Sequence, residues 1–532
     1  MLRLMLNYIK KYKWSILLFG LFLILSTLTS FYIPKMLGDY IDSFTYNKSV
    51  GFNIIVAFGI IALLETIASF LTRYIRNKIA NRITLDMIKD LTSHILKLPM
   101  SFFKDQEVMY LSNRINVDSF NLGDFTLKII SDALINFGIL IGVFIYILSI
   151  DSGIGFKLML LIPLYLVIYK FFQKPLFNRS IEYKEGINKA MGVMNNQYLN
   201  IKVTKINNWY KAYEDNLTGY TDLAQNSFER YCRVLFAFDG IDIIIKRLAL
   251  LVLITYSGAL VLKGKLTAGQ FTIIIAYFNI AFDALTGLIQ FGKGYQDTKA
   301  SYSRVEELLN VKTENNGKGV IDKIDKIIFN DITFSYEDDR DLLKSFNYTF
   351  EKGNIYTIKG RNGIGKSTLL EIMLGVNQDY HGQVMYNNEN ITNLNMYKLR
   401  TNLISYVEQS PNLLEGTLMD NLTIGSENCN IKVLKSYCEE LGVDKVLPNG
   451  YEDVVNGNNT NLSGGERQKI VISRALGKDG DILIMDEPTS ALDLKSKEKL
   501  KEILQRIKNH KIIILITHDE EFEKISDEII NL

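Results

Sequence analysis

This sequence of 532 residues has few cysteines and histidines, and its net charge is close to zero. Its three cysteines, Cys232, Cys429 and Cys438, have neither the spacing of a metal site nor that of a disulfide framework, and this usage fits a reduced, cytosol-facing protein. The 60 Lys and Arg residues nearly balance the 58 Asp and Glu residues, so no nucleic-acid-binding polycation is indicated. The length exceeds what one hydrophobic core usually supports, and we therefore expect two or more domains.

The first apolar run does not have the pattern of a cleavable signal peptide. Lys10, Lys11 and Lys13 precede a run from Trp14 to Pro34, whose length matches the ~20 residues of a membrane-spanning helix. A signal peptide would have a shorter apolar region, followed by small residues at a cleavage site. The run is therefore predicted to be a retained first span.

Five further apolar runs of spanning length follow, and their spacing is uneven. Only short turns separate span three from span four and span five from span six. By contrast, about fifty residues separate span two from span three, and about seventy separate span four from span five. Both long segments are rich in Lys and Arg, which predicts that they and both termini are cytoplasmic. Their low Gly and Pro content favours helices that continue beyond the membrane over flexible loops. The further predicted spans are Phe52–Tyr74, Lys128–Ile150, Ile154–Gln173, Ile243–Leu262 and Phe271–Phe291.

One carboxylate, Asp283, falls near the middle of the sixth predicted span. An isolated carboxylate at membrane depth costs several kcal/mol, so such groups usually face a wet cavity or a partner. We predict that Asp283 lines a polar path through the membrane helices, along which a substrate would pass if the protein is a transporter, and a structural ion pair is the alternative. Asp242 and Lys246 stand four apart and are expected to pair on one helix near the inner interface. The excess of acidic residues within the spans favours a cationic or partly cationic cargo.

The sequence pattern changes after span six. Residues 313–319 supply turn formers and no apolar anchor, which predicts a linker over residues 313–325. From residue 326, short β-rich runs alternate with helices, as in α/β nucleotide-binding domains. The predicted fold is thus a multi-domain membrane protein. An all-α six-helix transmembrane domain over residues 1–312 precedes the linker and an α/β domain over residues 326–532, which the two motifs described next identify as a P-loop ATPase domain.

A glycine-rich segment between a predicted strand and a predicted helix has the full pattern of a phosphate-binding loop. Its glycines let backbone N–H groups close around phosphate oxygens, and the helix N-terminus adds a partial positive charge. Lys366 is expected to reach the β- and γ-phosphates of ATP, and the Ser367 hydroxyl to bind Mg²⁺. A plain glycine turn is the alternative, which the complete motif disfavours. The predicted ATP-binding residues here are Gly360, Arg361, Asn362, Gly363, Ile364, Gly365, Lys366, Ser367 and Thr368.

A second motif places two carboxylates at the end of an apolar strand. Asp486 is expected to hold the Mg²⁺ shell, and Glu487 to polarise the water that attacks ATP. An ordinary pair of surface acids is the alternative. The position of the pair, downstream of a phosphate loop and before the turn at residues 490–493, favours a catalytic role.

Residues 461–468 read Asn-Leu-Ser-Gly-Gly-Glu-Arg-Gln at a predicted helix start, where a serine and glycine amides offer donors to a phosphate. They resemble the signature sequence of ATP-binding-cassette (ABC) proteins. In that family the signature binds nucleotide held by the opposite cassette, so the resemblance implies a dimer, either homodimer or heterodimer. By the resemblance, Ser490 and Asp493 belong to the dimer-interface loop. The implied signature contacts to ATP are Leu462, Ser463, Gly464, Gly465, Glu466 and Gln468.

Three more residues are similar to family elements. Tyr336 resembles the aromatic residue that stacks on adenine, and Gln409 the glutamine that senses Mg²⁺ and contacts the transport domain. His518 follows an apolar strand, as does the family histidine that contacts the γ-phosphate, which implies a catalytic role beside Glu487. The remaining histidines are expected to have no catalytic role; they are His94, His381 and His510.

The membrane half resembles the ABC exporter family in particular. Residues 98–105 and 111–118 look like its first intracellular loop, and residues 264–269 like its motif between spans five and six. The resemblance therefore covers essentially the whole chain. One departure is the stretch at residues 453–461, which lacks the glutamate that exporters usually carry before the signature; this departure bears on coupling rather than on ATP chemistry.

The resemblance implies export by alternating access across the cytoplasmic membrane, driven by ATP with Mg²⁺. The expected partners are a second half-transporter subunit, the lipid bilayer and a transported substrate, with no nucleic acid. A peptide or drug-like amphiphile is favoured as substrate. A lipid flippase, an importer of a metal-chelator complex and, from a different class, an ATP-linked membrane sensor stay open. Because no domain precedes span one in this sequence, no built-in leader peptidase is expected.

Overall fold

The structure, a computed structural model, describes residues 1–45, 52–104, 108–335, 341–361, 363–426, 429–456 and 461–532. The chain divides into two compact units. The first, which we call the helical unit, comprises Met1–Thr92 and Ser112–Leu308, and the second, the sheet unit, comprises Ser93–Leu111 and Leu309–Leu532. The sheet unit therefore takes in a short segment from within the region of the predicted transmembrane domain.

Long helices form the helical unit. The 53 residues of its longest helix rise about 80 Å, far more than the ~30 Å of a hydrocarbon core. The described parts of the two long segments between spans are mostly helical, as predicted from their low Gly and Pro content, with breaks at residues 96–99, 200 and 208–209. A π-helical turn, Ile129–Leu134, joins the fifth and sixth helices. The helices of the first 310 residues are α1 (Leu2–Lys11), α2 (Lys13–Thr45), α3 (Phe52–Ile95), α4 (Met100–Lys104, in the sheet unit), α5 (Val108–Lys128), α6 (Ile135–Ile150), α7 (Ser152–Leu199), α8 (Ile201–Asn207), α9 (Tyr210–Leu262) and α10 (Ala268–Asn310).

Five helical stretches in the described part of the chain are long and apolar enough to cross a membrane. Five of the six predicted spans coincide with them, the second beginning one residue earlier, at Phe52. The other predicted span, Ile154–Gln173, lies inside α7, which is not one of the five, so the count of six stays a prediction. The five stretches are Lys13–Thr45, Asn53–Ile95, Arg114–Ile150, Tyr210–Leu262 and Ala268–Asn310.

The end of α2 and the start of α10 approach each other at two glycines. A Cβ added to Gly269 would lie 2.1 Å from the carbonyl oxygen of Gly38, so only glycine fits this contact. Beside it, the Asp42 carboxylate accepts hydrogen bonds from the Thr267 hydroxyl at 2.6 Å and from the Gly269 N–H at 2.7 Å. The first N–H groups of a helix have no hydrogen-bond acceptor within that helix. Asp42 on α2 therefore serves as the acceptor for one of these N–H groups of α10.

The Asp42→Ala substitution should therefore loosen this contact. Loss of a charged acceptor at a helix N-terminus is expected to lower the free energy of unfolding by about 1–2 kcal/mol. Thermal unfolding of the purified full-length chain in detergent measures the effect. Asp42→Asn is the matched control, because it keeps one acceptor oxygen and should lose less. Equal midpoints for Asp42→Ala and the wild type would contradict the capping role.

A buried carboxylate joins α5 to α10. The Asp118 side chain is 1% exposed, and its Oδ2 accepts a hydrogen bond from Arg304 Nε at 2.9 Å, while Arg304 Nη2 pairs with Oδ1. Arg114 reinforces the same contact by donating to the Arg304 carbonyl oxygen at 2.9 Å and to Glu307 at 2.7 Å. A buried charge is stable only when it is paired in this way.

The core of the sheet unit is a five-stranded parallel sheet. The apolar strands before the two C-terminal motifs, Ile482–Asp486 and Ile512–Ile516, are buried throughout, as expected for parallel strands covered on both faces. The parallel order is β11-β3-β10-β9-β6, a second sheet has the antiparallel order β2-β1-β4-β5, and β7 pairs with β8. The strands are β1 (Lys326–Ser335), β2 (Asp341–Glu351), β3 (Ile355–Lys359), β4 (His381–Tyr386), β5 (Glu389–Asn390), β6 (Ile404–Val407), β7 (Gly416–Thr417), β8 (Val454–Val455), β9 (Ile482–Asp486), β10 (Ile512–Ile516) and β11 (Glu528–Asn531).

Helices connect and cover these strands, which confirms the predicted α/β architecture. Two apolar clusters lie in the unit: one includes α14, α15 and α16, and the other includes α11 and the strand residues of both larger sheets. The helices are α11 (Lys366–Met373), α12 (Met396–Asn402), α13 (Leu418–Thr423), α14 (Ile431–Leu441), α15 (Gly464–Gly477), α16 (Leu494–Ile507) and α17 (Glu520–Glu523).

The segment predicted as a linker, residues 313–325, is held by polar contacts within the sheet unit. The Glu314 N–H donates to the carbonyl oxygen of Lys97 at 2.8 Å, and the Glu314 carboxylate pairs with Arg400 at 3.3 Å. The Gly319 N–H donates to the Asn393 carbonyl oxygen at 2.9 Å. Apolar contacts add to these polar ones: Ile324 is fully buried in the apolar cluster that includes α11, and Ile321 packs against it, so the segment is fixed in place by both kinds of contact.

Candidate functional site

The loop between β3 and α11 has the backbone shape that a phosphate requires. Gly363 and Gly365 have φ angles of +78° and +113°, which glycine adopts without strain. Gly365 is the residue before the first turn of α11, so the free N–H groups of that turn face the loop. The loop residues Gly360–Arg361 and Gly363–Gly365 are described, whereas Asn362 lies outside the described residues.

Lys366 is the first residue of α11, and its side chain folds back over this loop. The residue is only 9% exposed, and its Nζ donates to the carbonyl oxygen of Gly360 at 2.6 Å. Its ammonium group is thus held close to the glycine loop rather than in solvent. Of the two residues that follow it, Ser367 is exposed and Thr368 is buried, so the Ser367 hydroxyl is the one accessible to a ligand.

The acid pair lies at the same edge of the parallel sheet. Ile516 of β10 is aligned with Ile358 of β3 on one side and with Asp486 of β9 on the other, so all three strands end together. His518 lies two residues beyond Ile516 and is exposed. The structure thus brings the glycine loop, the acid pair and His518 to one edge, where ligands of open α/β sheets bind.

Asp486 and Glu487 differ in their surroundings. Burial, and next the charge of Glu487, raises the pKa of Asp486 to about 6, while the charge of Lys366 opposes this rise. Glu487 has a left-handed φ of +44°, which is uncommon outside glycine; its N–H donates to the Ile516 carbonyl oxygen at 2.8 Å. Gln409 Nε2 donates to Glu487 Oε2 at 3.2 Å, so the predicted glutamine and the second acid are in contact.

This donor set fits a magnesium nucleotide. A buried carboxylate with a raised pKa carries a charge that a divalent cation would stabilise. Asp486, the Ser367 hydroxyl and the Gln409 amide oxygen are all oxygen donors, the kind that Mg²⁺ prefers. The described residues contain no group of three or more His, Cys, Asp or Glu side chains placed to hold a metal. Mg²⁺ commonly binds through one or two carboxylates and the substrate's phosphates.

The signature segment begins α15. Ser463 and Glu466 form a reciprocal capping box: the Ser463 N–H donates to Glu466 Oε2 at 2.7 Å, and the Glu466 N–H donates to Ser463 Oγ at 3.3 Å. Ser463 is exposed, and a Cβ on Gly464 would meet no atom within 4 Å. The start of this helix is therefore open to a ligand.

Beyond this opening, the same helix is fixed to the loop that follows the acid pair. A Cβ on Gly465 would lie 2.7 Å from the Ala491 carbonyl oxygen. Lys469 Nζ pairs with Asp493 at 2.7 Å, and Asp493 also caps α16 by accepting from the Ser496 N–H at 2.8 Å. The hydrogen bond from Lys469, helped by the Ser496 N–H, holds the pKa of Asp493 well below its usual range. Sequence reasoning had named Asp493 but missed Lys469, whose partner 24 residues away gives no local signal.

The other residues predicted from the sequence to belong to a site lie in different surroundings, some buried and some exposed. Gln468 is 1% exposed, and neither atom of its side-chain amide has a hydrogen-bond partner within the described parts of the protein. Leu462 is buried, whereas Ser490 is exposed. Tyr336 lies outside the described residues. In the helical unit, Asp283 Oδ1 accepts a hydrogen bond from Lys246 Nζ at 2.9 Å, so Asp283 has the cationic partner that the alternative prediction required.

Comparison with known proteins covers both units. The family model described as the ABC transporter transmembrane region matches residues 16–285, and the model described as ABC transporter matches residues 343–490. A structure of a bacterial Atm1-family ABC exporter with ATP bound superposes with a TM-score of 0.87, at 18% identity, over 98% of this chain and 93% of that one. This likeness establishes a shared fold.

Relatives at low identity carry different substrate names. The probable multidrug resistance ABC transporter protein YheH of Bacillus subtilis is 26% identical over 95% of this chain and 74% of its own length. The lactococcin-A transport/processing protein LcnC of Lactococcus lactis is 27% identical over 95% and 71%, respectively. The lipid A-core flippase of Haemophilus ducreyi is 23% identical over 98% and 91%. With a transmembrane-region model and a cassette model matched in one polypeptide, the chain belongs to the ABC transporter family, and its second unit is an ATPase domain that hydrolyses ATP to drive transport.

Proposed function

We propose that the chain exports an amphiphilic substrate, peptide or drug-like, across the cytoplasmic membrane as one half of a dimer. The observation that carries the proposal is the meeting of the glycine loop, Lys366, Asp486 and Glu487 at one sheet edge, in a chain that also has five candidate membrane helices. The similarity to exporters with drug, peptide and lipid names supports the direction and leaves the choice among cargoes to experiment.

The proposed chemistry uses each residue according to its surroundings. Backbone N–H groups of residues 363–366 and the Lys366 ammonium bind the phosphates of ATP. Ser367, Gln409 and Asp486 would hold Mg²⁺, which neutralises charge on the phosphate oxygens. Glu487 accepts a hydrogen bond from Gln409 and orients the attacking water, and exposed His518 contacts the γ-phosphate.

A second cassette completes the proposed site. Ser463 and Gly464 are open at the start of α15, where free N–H groups and the helix dipole favour a phosphate. We therefore propose that these residues bind ATP held by the partner's glycine loop, with Ser490 and Asp493 near the interface. Alternating closure and opening of this pair, passed to the membrane helices, would turn the substrate cavity outward.

The test is ATP-driven uptake into sealed vesicles that contain the full-length chain and have the ATPase domain outside. The vesicles receive labelled peptides and amphiphilic dyes with ATP and Mg²⁺, and the control replaces ATP with ADP. The compound is expected to accumulate inside the vesicles with ATP but not with ADP. Uptake in this orientation corresponds to export, because the ATPase domain faces outward. ATP hydrolysis without movement of any compound would support the sensor instead, and ATP-driven release from preloaded vesicles would reverse the proposed direction.

A further inference from the structure

The side chain of Glu314, in the segment predicted as a linker, is only 10% exposed. Both of its carboxylate oxygens lie 3.3 Å from Nη2 of Arg400, a residue of α12. Its main chain is fixed as well, because the Glu314 N–H donates to the Lys97 carbonyl oxygen at 2.8 Å. Since the loss of hydration offsets much of the attraction between buried charges, this ion pair is expected to fix the position of α12 more than to add stability.

The two residues after Glu314 extend the contact. The Asn315 N–H donates to Gln378 Oε1 at 2.8 Å, and Gln378 Nε2 donates back to the Asn315 carbonyl oxygen at 2.8 Å. Asn316 Nδ2 donates at 3.1 Å to Oδ1 of Asn395, the residue that caps α12. Residues 314–316 therefore hold both α12 and the loop that follows α11.

The α12 helix leads directly to the edge of the sheet where the acid pair lies. A single residue separates α12 from β6, and Gln409 lies two residues beyond the end of β6. β6 is the last strand on one side of the parallel sheet, so among the described strands only β9 holds it through backbone hydrogen bonds. Gln409 Nε2 donates to Glu487 Oε2 at 3.2 Å. The position of α12 therefore bears on the amide that contacts Glu487.

We propose that Glu314 is a positioning residue for ATP hydrolysis: by pairing with Arg400 it fixes α12, and through β6 it fixes the side-chain amide of Gln409. The inference rests on the proposed function, in which Gln409 contacts both Mg²⁺ and Glu487. Glu314 itself does not touch the nucleotide. Loss of its charge should therefore lower kcat and leave the KM for ATP nearly unchanged, because the phosphate-binding groups of the glycine loop stay in place.

Hydrolysis by the full-length chain in lipid nanodiscs, measured over a range of Mg-ATP concentrations, tests this role. Glu314→Gln is expected to lower kcat about 3- to 30-fold, since a small misplacement of a catalytic group is costly, and to change KM by less than about twofold. Exchange of the two charges, Glu314→Arg with Arg400→Glu, should restore most of the lost kcat. An unchanged kcat in Glu314→Gln, or a lower thermal midpoint as its only effect, would overturn the proposal.

A second glutamate of the sheet unit provides the matched control. Arg506 Nη2 of α16 donates to both carboxylate oxygens of Glu440 on α14, at 2.8 and 3.1 Å, and the Glu440 side chain is 26% exposed. Glu440→Gln makes the same chemical change in a similar pair and should leave kcat within about twofold of the wild type. An equal loss of kcat in both variants would overturn a specific role for Glu314.

A double-mutant cycle separates positioning from a general weakening of the domain. In a Gln409→Ala background, Glu314→Gln should lower kcat by less than about twofold further, because the group that it positions is gone. Equal losses in the two backgrounds would overturn the route through Gln409. If Glu314→Gln does not fold, Glu314→Gln with Arg400→Gln leaves no unpaired charge and should show the same loss of kcat.

The single variants also distinguish this inference from the proposed function. A slow Gln409→Ala variant beside a Glu314→Gln variant with the wild-type kcat would count against the inference alone. Hydrolysis by Gln409→Ala at the wild-type rate would overturn the role proposed for Gln409, and this inference with it.

Discussion

Replacement of Glu487 with glutamine is expected to lower the rate of ATP hydrolysis about 100- to 10,000-fold, the usual contribution of a positioned general base. Glutamine keeps the size of the side chain, but its amide cannot take a proton from water. The left-handed backbone and the hydrogen bond to Ile516 fix the position of residue 487 independently of its side chain. Phosphate release from the full-length chain in lipid vesicles, at saturating ATP, measures this rate.

Nucleotide binding should survive this substitution, because the phosphate-binding groups belong to the glycine loop and Lys366. Binding of a fluorescent ATP analogue is therefore expected within a few-fold of the wild type. Glu521→Gln is the matched control: it makes the same chemical change at an exposed residue of α17 whose partners are Lys501 and Lys524. Undiminished hydrolysis by Glu487→Gln, or an equal loss in the control, would contradict the proposed role.

Replacement of Arg304 with alanine is expected to lower the free energy of unfolding of the helical unit by about 3–5 kcal/mol. The loss is large because Asp118 would remain buried and charged without its guanidinium partner. Thermal unfolding of the purified chain in detergent should show a lower midpoint than that of the wild type. Asp118→Asn with Arg304→Ala should recover part of the loss, because no buried charge is then left.

A second arginine provides a control for this prediction. Arg179 pairs with Glu182 at 2.7 Å, and its side chain is 41% exposed, the same fraction as that of Arg304. Its partner differs, since Glu182 is 43% exposed and Asp118 is 1% exposed. Arg179→Ala should therefore cost less than about 1 kcal/mol. Similar losses for the two arginine variants would mean that burial of the carboxylate does not decide the effect.

The sequence predicted those parts of the structure that local patterns determine. The strand, glycine loop and helix around Lys366 appear in that order, because glycines at positive φ and a buried β-run leave few alternatives. The acid pair at the end of β9 was visible for the same reason: five buried residues in a row require a covered parallel strand. The helical character of α9 beyond the membrane span also followed from local composition, since no proline interrupts it, whereas its start at Tyr210 was not predicted.

Contacts between distant residues could not be predicted in this way. The sequence offered Lys246 a possible partner four residues away on its own helix, Asp242, and gave no sign that Lys246 reaches Asp283 on α10, as it does in the structure. The number of residues separating two groups says little about their distance once helices pack side by side. For the same reason, the partners Asp118 and Arg304, Lys469 and Asp493, and Gln409 and Glu487 needed the folded chain.

The hydrogen bond from Glu314 to Lys97 has a consequence for synthesis. Residues 93–111 leave the ribosome long before residues 309–532, yet both belong to one compact unit. Residues 93–111 therefore stay without their final partners while the intervening helices enter the bilayer. The ATPase domain completes its contacts only at the end of translation. Bringing residues 93–111 and 309–532 together closes a loop of about two hundred residues, which costs conformational entropy. The contacts between the two segments must offset this cost. A truncated product released before residue 309 would therefore leave residues 93–111 without the partners that they have in the complete sheet unit.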